Sequence, residues 1–385
     1  MSADSKKGLA KAREIYTNRA EYARGLKKQG RQIFGYFCCY PPIELLSALD
    51  IVPVRVLGNM DEPVTLADNY LPQVMCVFCR SAFDIGMKGH YDYFDGFVGS
   101  HACDGAERTA LIWTNFIKSP CNFHLDIPHT THKAAIDFFR DQIAYFRNEL
   151  EKAVGKKIEP ATLREAIAAH NRQRALVREL YGLRKPSPPL LSGAEMMTVL
   201  IAVMTMPAPE ANVLLEEVIR EVKERKNVQK EKKRLMIWGA LIDNAAFMEL
   251  IESSGFNIVI EDTAIGTRPF WHDIESTEDP LLGVAEHYLK EVLCPRTFRD
   301  SGPNYEQDSE MRFGYLREFA KYWKVDGVMA NIIRNCDPHG FEVPIIKDYF
   351  SKLGLPVLVI EQDYSTASLE SLRTRFQAFS ETIAF

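Results

Sequence analysis

Two segments of the chain share one pattern, in which Asp-Gly opens a short apolar run and Cys-Asp follows its end. The pattern covers 94–104 in the first half of the chain and 325–337 in the second half. Each apolar run has the length of a buried strand in a parallel sheet. The pattern therefore places one thiol, Cys103 or Cys336, at the carboxyl end of a strand in each of two similar halves. Ligands of a metal cluster held between two lobes need this arrangement.

Predicted strands alternate with predicted helices around both segments, which indicates parallel sheets covered by helices on both faces. The predicted strands cover 32–38, 51–57, 96–100 and 121–126 in the first block, and 235–241, 256–261, 327–333 and 356–361 in the second. The section between the blocks shows helical patterns without period-two alternation. We therefore expect an α/β fold of two similar Rossmann-like parallel-sheet lobes joined by a helical middle segment.

The expected domains are an N-terminal helix (1–30), a first α/β lobe (31–130), a helical segment (131–232) and a second α/β lobe (233–385). The correspondence between the two blocks is interpreted as an internal duplication. Two unrelated α/β domains with chance Asp-Gly matches are the alternative.

Composition and charge argue against several classes of protein. A net charge of -5 provides no overall basic field for nucleic acid. The most apolar stretch, 196–206, is far shorter than the ~20 residues that span a bilayer, and 1–30 lacks the apolar core of a signal peptide. We therefore expect a cytoplasmic protein that binds neither nucleic acid nor a membrane. Eight cysteines in such a chain indicate metal or redox chemistry rather than disulfides.

A third thiol can come from the segment Cys76-Val77-Phe78-Cys79, which lies within or near the start of a helix predicted over 71–87. No clear strand directly precedes this CxxC, as a redox motif requires, and no second Cys/His pair lies nearby, as a structural zinc site requires. The spacing leaves open whether Cys76 or Cys79 is the ligand. Three thiolates on a four-iron cluster leave one iron able to bind water or a substrate oxygen.

The remaining cysteines have simpler interpretations. Cys121 lies in an apolar strand and is interpreted as a packing residue. Cys38 and Cys39 close the first strand, where core packing is favoured over lining a pocket. Cys294 is an unassigned loop residue.

Candidate catalytic side chains are few. His101 and His339 flank the two matched cysteines and could transfer protons near a cluster, or they could be structural. Glu44 begins a short predicted helix, where a stabilising first-turn carboxylate is favoured over an acid/base group. Neither a GxGxxG nor a Walker-type GxxxxGK segment occurs, so a reaction that uses ATP needs another protein to bind the nucleotide.

Further motifs run through nearly the whole chain. They are Gly35 to Leu45 (GYFCCYPPIEL), Leu71-Pro72 through Cys76 to Arg80-Ser81, Cys103-Asp104, Asn335 to Pro338, Ile360 to Asp363, and Thr374 to Phe379. Together these motifs resemble the 2-hydroxyacyl-CoA dehydratase and benzoyl-CoA reductase family.

The resemblance implies a core subunit that carries a [4Fe-4S] cluster on three cysteines, and these fall on Cys76, Cys103 and Cys336. It thereby favours Cys76 over Cys79. It also implies three binding partners: a related second core subunit, a separate ATP-hydrolysing iron-sulfur activator, and a CoA thioester substrate.

The family includes two chemistries. Its dehydratases, which are lyases, reduce an acyl-CoA thioester to a ketyl radical and expel hydroxide from carbon two. Its benzoyl-CoA reductases, which are oxidoreductases, send electrons into an aromatic ring through the thioester carbonyl. The size of the chain and its Cys-Asp-Pro-His-Gly segment resemble the smaller core subunit of ATP-dependent benzoyl-CoA reductase, which is the expected function. A 2-hydroxyacyl-CoA dehydratase subunit and a non-catalytic electron-transfer or scaffold subunit are the alternatives.

Overall fold

The computed structural model describes residues 8–226, 230–299 and 302–383. Within them, eight strands form two four-stranded sheets. The strands are β1 (Gln32–Tyr36), β2 (Ile51–Arg55), β3 (Gly96–Ser100), β4 (Cys121–Leu125), β5 (Lys233–Gly239), β6 (Phe256–Asp262), β7 (Gly327–Ile333) and β8 (Val357–Gln362). The helices are α1 (Gly8–Thr17), α2 (Arg19–Lys28), α3 (Ile43–Ser47), α4 (Val77–Met87), α5 (Asp104–Phe116), α6 (Lys133–Val154), α7 (Pro160–Gly182), α8 (Gly193–Val203), α9 (Ala208–Lys223), α10 (Ala245–Ser253), α11 (Pro280–Glu286), α12 (Tyr305–Tyr322), α13 (Asp337–Gly340), α14 (Val343–Lys352) and α15 (Leu369–Thr382).

Both sheets are parallel throughout and have the same strand order. The first sheet is ordered β2-β1-β3-β4, and the second is ordered β6-β5-β7-β8. The first strand of each lobe therefore lies inside its sheet, next to the strand that follows the Asp-Gly pair. The predicted α/β fold with two Rossmann-like lobes is confirmed. The shared strand order is the arrangement that an internal duplication would produce, while the expected domain limits stay predictions.

The Asp-Gly pattern has the same structural role in both lobes. Asp95 accepts a hydrogen bond from the backbone N–H of Ile33 (2.9 Å), and its own N–H donates to the Ile33 carbonyl (2.7 Å). Asp326 makes the same two contacts with Arg234, at 2.7 and 2.8 Å. Ile33 and Arg234 are each the second residue of the interior strand, β1 or β5. Each Asp thus sets the register of the strand that carries its chain towards a cysteine.

The helical middle segment covers strands that would otherwise be exposed. β2 and β6 lie at sheet edges, yet every residue in both strands is buried. The backbone N–H of Arg55 in β2 donates to the carbonyl of Met204 (3.1 Å), and Gly193 at the start of α8 lies against Ile258 in β6. The opposite edges, β4 and β8, remain partly exposed. In the described ranges, no helix is both long enough and apolar enough to cross a membrane.

The predicted helix at the amino terminus is divided in two. The sequence predicts one helix over 5–30, but α1 and α2 separate at Asn18, whose φ of −118° and ψ of 40° are not helical. The Asn18 side-chain amide donates to the Glu14 carbonyl (3.2 Å), which also accepts from the Asn18 backbone N–H (2.9 Å). Positions 1–7, 227–229, 300–301 and 384–385 of the expected domains lie outside the described residues.

Candidate metal centre and adjoining chamber

The three cysteines that the resemblance selects line one cavity. Cys76, Cys103 and Cys336 lie in the wall of a space of about 540 Å³, which we call the thiol cavity. Each cysteine is the residue directly before a helix, namely α4, α5 and α13. Cys103 and Cys336 follow the carboxyl ends of β3 and β7, where ligands gather in parallel α/β folds.

Contacts between the lobes bring Cys76 and Cys336 together. The Asn335 side chain donates to the carbonyls of Gln73 (3.2 Å) and Met75 (3.4 Å). The backbone N–H of Val77 donates to the carbonyl of Arg334 (3.3 Å). Asn335 has a φ of 62°, a left-handed conformation that asparagine tolerates better than most residues, and this conformation turns the chain towards Cys336.

The same contacts correct the predicted start of the helix over 71–87. The structure begins α4 only at Val77, and Cys76 has a non-helical φ of −43° and ψ of 121°. The chain before it forms a turn closed by the Met75 N–H and the Pro72 carbonyl (3.0 Å). Backbone groups that a longer helix would pair internally are instead used by the turn and by the second lobe. Cys76 consequently lies directly before the first residue of α4, and it lines the thiol cavity.

Cys79 lies one turn into α4, is 3% exposed, and is not among the residues that line the thiol cavity. Hydrogen bonds from the Cys336 and Cys79 thiols, with N–H groups at the start of α4, lower the pKa of Cys76 well below its usual value. The hydrogen bond to Cys76 and burial raise the pKa of Cys79. The structure thus places Cys76 at the cavity and Cys79 behind it.

Cys76→Ser is expected to abolish iron binding, whereas Cys79→Ser is expected to retain it, because only Cys76 reaches the cavity wall. Cys79→Ser buries a hydroxyl and should lower the free energy of unfolding by about 1 kcal/mol. Iron content after anaerobic purification and urea unfolding of both variants measure these effects. Loss of iron in Cys79→Ser alone would reverse the assignment.

The thiol donor set fits an iron-sulfur cluster. Burial raises the pKa of Cys103, and the hydrogen bond to Cys76, with burial, raises that of Cys336, so three bare thiolates would be unfavourable together. A bound cation reverses this preference and deprotonates coordinating thiols. No group of three His, Cys, Asp or Glu in the described part of the chain is arranged to hold a single metal ion. The ligands of a cluster bind different iron atoms, so they need not converge on one point.

Arg296 organises the loops around Cys103. Its guanidinium, 7% exposed, donates to four backbone carbonyls of the first lobe at 2.6 to 2.9 Å. These carbonyls belong to His101, Ala102, Ile127 and Pro128. Sequence reasoning missed Arg296, because its partners are backbone atoms of distant segments and leave no side-chain pattern. The loop that leaves β3 and the loop that leaves β4 are therefore tied to the second half of the chain through one side chain.

Arg296→Met is expected to lower the free energy of unfolding by about 3 kcal/mol, because four buried carbonyls lose a charged donor. It should also reduce the iron content, since the Cys103 loop loses its support. Urea unfolding and iron analysis measure both effects. Arg172→Met is the matched control: Arg172 forms an exposed ion pair with Glu216, and such pairs contribute little. Equal stability of the two variants would contradict the role of Arg296.

His339 is placed to donate a hydrogen bond to a cysteine sulfur. Its Nδ1 lies 3.4 Å from the Cys336 sulfur, and its Nε2 lies 2.8 Å from Nη1 of Arg268. Arg268 can only donate, so Nε2 is the acceptor and Nδ1 carries the proton. Burial, and then the charge of Arg268, lower the pKa of His339 well below its usual value, so the ring is neutral. Hydrogen bonds to sulfur are one means by which proteins tune cluster potentials.

None of the three candidate catalytic residues lines the thiol cavity, and only His339 contacts one of its cysteines. His101 faces Asp126 (3.2 Å) and Glu107 (3.5 Å). Glu44 is fully buried, 2.5 Å from Arg174, and accepts a hydrogen bond from Tyr288 (3.0 Å). Burial opposes ionisation of Glu44, but Arg174 and a neighbouring histidine outweigh it and lower the pKa to about 2. Glu44 is thus an ionised, buried residue that pairs α3 with Arg174.

A second chamber of about 680 Å³ adjoins the thiol cavity, and the two share His129, Pro295, Arg296 and Glu342 in their walls. Burial and Arg296 lower the pKa of His129 to about 4, so this imidazole is neutral. Its Nε2 has no hydrogen-bond partner among the described residues. Sequence reasoning missed His129, although it lies just four residues beyond a strand end.

Glu342 is the carboxyl group at the junction of the two spaces. It is 8% exposed; one oxygen accepts from Arg312, and Oε2 has no partner in the described ranges. Burial raises the pKa of Glu342, and the charge of Arg312 offsets only part of this effect. A carboxyl group with a raised pKa at such a junction is suited to hold and deliver a proton. Sequence reasoning missed it, because nothing in the local sequence indicates that this position is buried.

The fold and site define a two-lobed α/β protein with a cysteine-lined cavity between its lobes. The model of the family "2-hydroxyglutaryl-CoA dehydratase, D-component" matches residues 38–383, which include all three cavity cysteines. The chain therefore belongs to this family of 2-hydroxyacyl-CoA dehydratase and benzoyl-CoA reductase subunits.

Curated relatives match the chain over almost its whole length at low identity. It is 24% identical to the beta subunit of (R)-phenyllactyl-CoA dehydratase of Clostridium sporogenes, over 96% of this chain and 97% of the relative. It is 23% identical to a benzoyl-CoA reductase subunit of Thauera aromatica (92% and 91%) and 23% identical to the beta subunit of lactoyl-CoA dehydratase of Anaerotignum propionicum (92% of each). Reductase and dehydratase subunits are thus similar to the chain to the same degree.

Proposed function

We propose that the chain is the iron-sulfur subunit of an ATP-dependent complex that reduces an aromatic acyl-CoA thioester, with a [4Fe-4S] cluster on Cys76, Cys103 and Cys336. The observation that carries the proposal is the meeting of these three thiols, from three segments and both lobes, on one cavity wall. Benzoyl-CoA reduction is the first candidate reaction. Dehydration of a 2-hydroxyacyl-CoA is the second, because two of the relatives described above are named as dehydratase subunits.

When bound, such a cluster supplies one-electron chemistry at low potential. The residues of the chain supply the surroundings. His339 donates to the sulfur of Cys336, and Arg296 fixes the loop of Cys103. Glu342 and the neutral ring of His129 stand where the second chamber meets the thiol cavity and can hold or move a proton there.

The residues that line the second chamber favour an aromatic acyl group as the substrate. Trp238, Phe313 and Tyr315 contribute rings to its wall, and flat apolar rings pack well against aromatic ligands. The benzoyl and phenyllactyl groups in the names of two relatives both contain a phenyl ring. The two reactions differ in their products, so turnover distinguishes them.

Turnover by the anaerobically purified chain, together with its co-purifying subunits, tests the function. The assay contains an ATP-hydrolysing activator, a strong reductant, and either benzoyl-CoA or (R)-phenyllactyl-CoA. Consumption of benzoyl-CoA with loss of aromatic absorbance is expected; elimination of water from phenyllactyl-CoA would favour the dehydratase. A colourless, iron-free chain would contradict the proposal. A cluster whose EPR signal is indifferent to every acyl-CoA would favour a scaffold subunit.

An exposed apolar rim surrounds the mouths of the two spaces, and we propose that it is covered by a related second core subunit. Val74 and Phe341 line the thiol cavity and are 80% and 79% exposed, and Phe298 lines the second chamber and is 55% exposed. Exposed apolar side chains clustered in this way are typical of protein interfaces. The relatives are named as subunits of larger enzymes, which supports a heteromeric complex.

Phe341→Asp is expected to weaken co-purification of the second subunit at least ~10-fold, because a charge would be buried at the interface. Pull-down of co-expressed subunits and iron analysis of the chain measure the effect. Tyr145→Asp is the matched control, since Tyr145 is 62% exposed on α6 and does not line the cavity. Unchanged assembly of Phe341→Asp would place the partner on another face.

A further inference from the structure

A small internal cavity lies apart from the thiol cavity and the second chamber. It has a volume of about 40 Å³ and is bounded by β2, by α7 and by the π-helix His287–Glu291. Its wall includes four basic side chains: Arg55, His170, Arg174 and His287. Of the residues that the structure describes, no aspartate or glutamate is part of this wall. Arg174 is paired with Glu44 outside the wall, so Arg55 is the charged member of this wall that has no acidic side chain beside it there.

Arg55 is the unusual member of this set. It is 2% exposed, and its Nε has no hydrogen-bond partner among the described residues. Its guanidinium lies 5.5 Å from the ring centre of Tyr36, a contact that offsets part of the cost of burying the charge but provides no hydrogen-bond acceptor for Nε. A buried guanidinium is ordinarily paired and fully hydrogen-bonded, because the cost of removing a charge from water is large.

The neighbouring basic residues provide neither a counter-charge nor a hydrogen-bond acceptor for Arg55. Arg174 is already paired with Glu44 (2.5 Å), so that carboxylate is engaged. His287 is 3% exposed, and neither of its ring nitrogens has a partner within 3.5 Å among the described residues, although the Asp273 carbonyl lies near enough to oppose part of the pKa shift of the ring. Burial, with the nearby charge of Arg174, lowers its pKa to about 3, so the neutral ring retains one N–H to donate. Arg55 Nε and the ring of His287 thus belong to residues of one cavity wall and lack an acceptor within 3.5 Å among the described residues.

We propose that this cavity binds one small inorganic anion of the size of chloride, held by the guanidinium of Arg55 and the ring N–H of His287. An anion satisfies both donors and balances the charge that the cavity wall leaves unmatched. A volume of about 40 Å³ is enough for a monatomic anion or a water and far too small for an organic anion of the size of gluconate.

The position of the anion predicts that its binding stabilises the fold. Arg55 belongs to the first sheet, α7 belongs to the helical middle segment, and His287 belongs to the section between β6 and β7. A shared anion would link the first sheet to the section between β6 and β7, next to α7. Its binding should therefore stabilise the whole fold, since a ligand that binds only the folded state raises the free energy of unfolding.

Two other occupants are distinguishable from a halide. Waters alone could fill the cavity, in which case no halide would be detected. Alternatively, the thiolate of Cys38 could be the counter-charge of Arg55, because Cys39, and then Arg55, lower the pKa of Cys38 to about 6. Cys38 is not part of the cavity wall, so its sulfur does not fill the space itself.

Thermal unfolding of the full chain in sodium chloride and in sodium gluconate at equal ionic strength tests the proposal. Gluconate is too large for the cavity, so the melting temperature should be higher in chloride by about 2 °C or more. Crystals grown in sodium bromide should show anomalous scattering within hydrogen-bonding distance of Arg55. Equal melting temperatures together with the absence of a bromide peak would overturn the proposal.

Substitutions test whether the chloride dependence of the melting temperature arises at Arg55. Arg55→Met should lose the chloride dependence, and Arg184→Met should keep it, because Arg184 is equally buried but fully paired with Glu261 and the Ile258 carbonyl. If Arg55→Met does not fold, His287→Leu and the bromide measurement on the unmodified chain replace it. A chloride dependence that persists in Arg55→Met would overturn the site, as would one that appears only in Cys38→Ser.

Discussion

Cys103→Ser is expected to leave the purified chain without iron and sulfide and without acyl-CoA turnover. Cys103 stands before α5 in the wall of the thiol cavity, and the loop that carries it is held by Arg296. Serine keeps the shape of the side chain but is a poor ligand for iron in a cluster. The iron content should fall from about four atoms per chain to near zero. Iron and acid-labile sulfide analysis after anaerobic purification measures the loss.

Cys121→Ser is the matched control for this variant. Cys121 begins the edge strand β4 and is not among the residues that line the thiol cavity or the second chamber. It should retain the colour, the iron and the activity of the unmodified chain. A Cys103→Ser protein with full iron content, or a Cys121→Ser protein without iron, would refute the ligand assignment.

Glu342→Gln is expected to lower kcat by about 100-fold, with a small change in KM, while the iron content stays unchanged. General acid–base groups contribute about 10²- to 10⁴-fold to rates, and glutamine keeps the size of the side chain without its proton. Glu342 has one oxygen without a partner among the described residues at the junction of the two spaces, where the proposed function requires a proton donor. Steady-state turnover of the complex measures the effect, and Glu318→Gln, on the exposed part of α12, is the control.

The direction of the pKa shift of Glu342 predicts a pH dependence. Burial raises this pKa above that of a free glutamate, so the folded state binds the proton more tightly than the unfolded state. A rate that needs the protonated carboxyl falls as pH rises through the raised pKa. The contribution of this group to folding stability has the same sign: it is complete below the unfolded pKa and is lost as pH rises. Glu342→Gln should lack this limb of the rate profile, and a profile identical to that of the unmodified complex would exclude the role.

Local patterns predicted the elements that depend on local chemistry. β3 and β7 begin and end where the sequence predicts, because an Asp-Gly pair and a short apolar run define each of them. The structure adds the reason for the repeated pattern, since Asp95 and Asp326 each hold the interior strand of their own sheet. The section between the two blocks, where the sequence predicts helical patterns, contains α6 to α9.

Features that depend on distant contacts could not be predicted in this way. The start of α4 moves from 71 to Val77 because backbone groups near Cys76 bond to the second lobe. Asn335 donates a hydrogen bond to Gln73, although the two residues are 262 positions apart in the sequence. Arg296 likewise reaches back to carbonyls of the first lobe, and its role depends on loops that meet only after folding.

The sequence by itself determined the α/β class, the two similar lobes, and a thiol at the end of one strand in each lobe. Periodicity, strand length and Asp-Gly pairs carry this information, since they act within a few residues of the chain. Only the tertiary structure decided that Cys76 rather than Cys79 faces the cavity, that His339 donates to the sulfur of Cys336, and that Glu342 stands at the junction. These features depend on where the loops of two lobes meet and on which buried polar groups are left with partners. The contacts that place Cys76 join segments 262 residues apart, and the donor that fixes the proton on His339 comes from Arg268, so no local pattern encodes them.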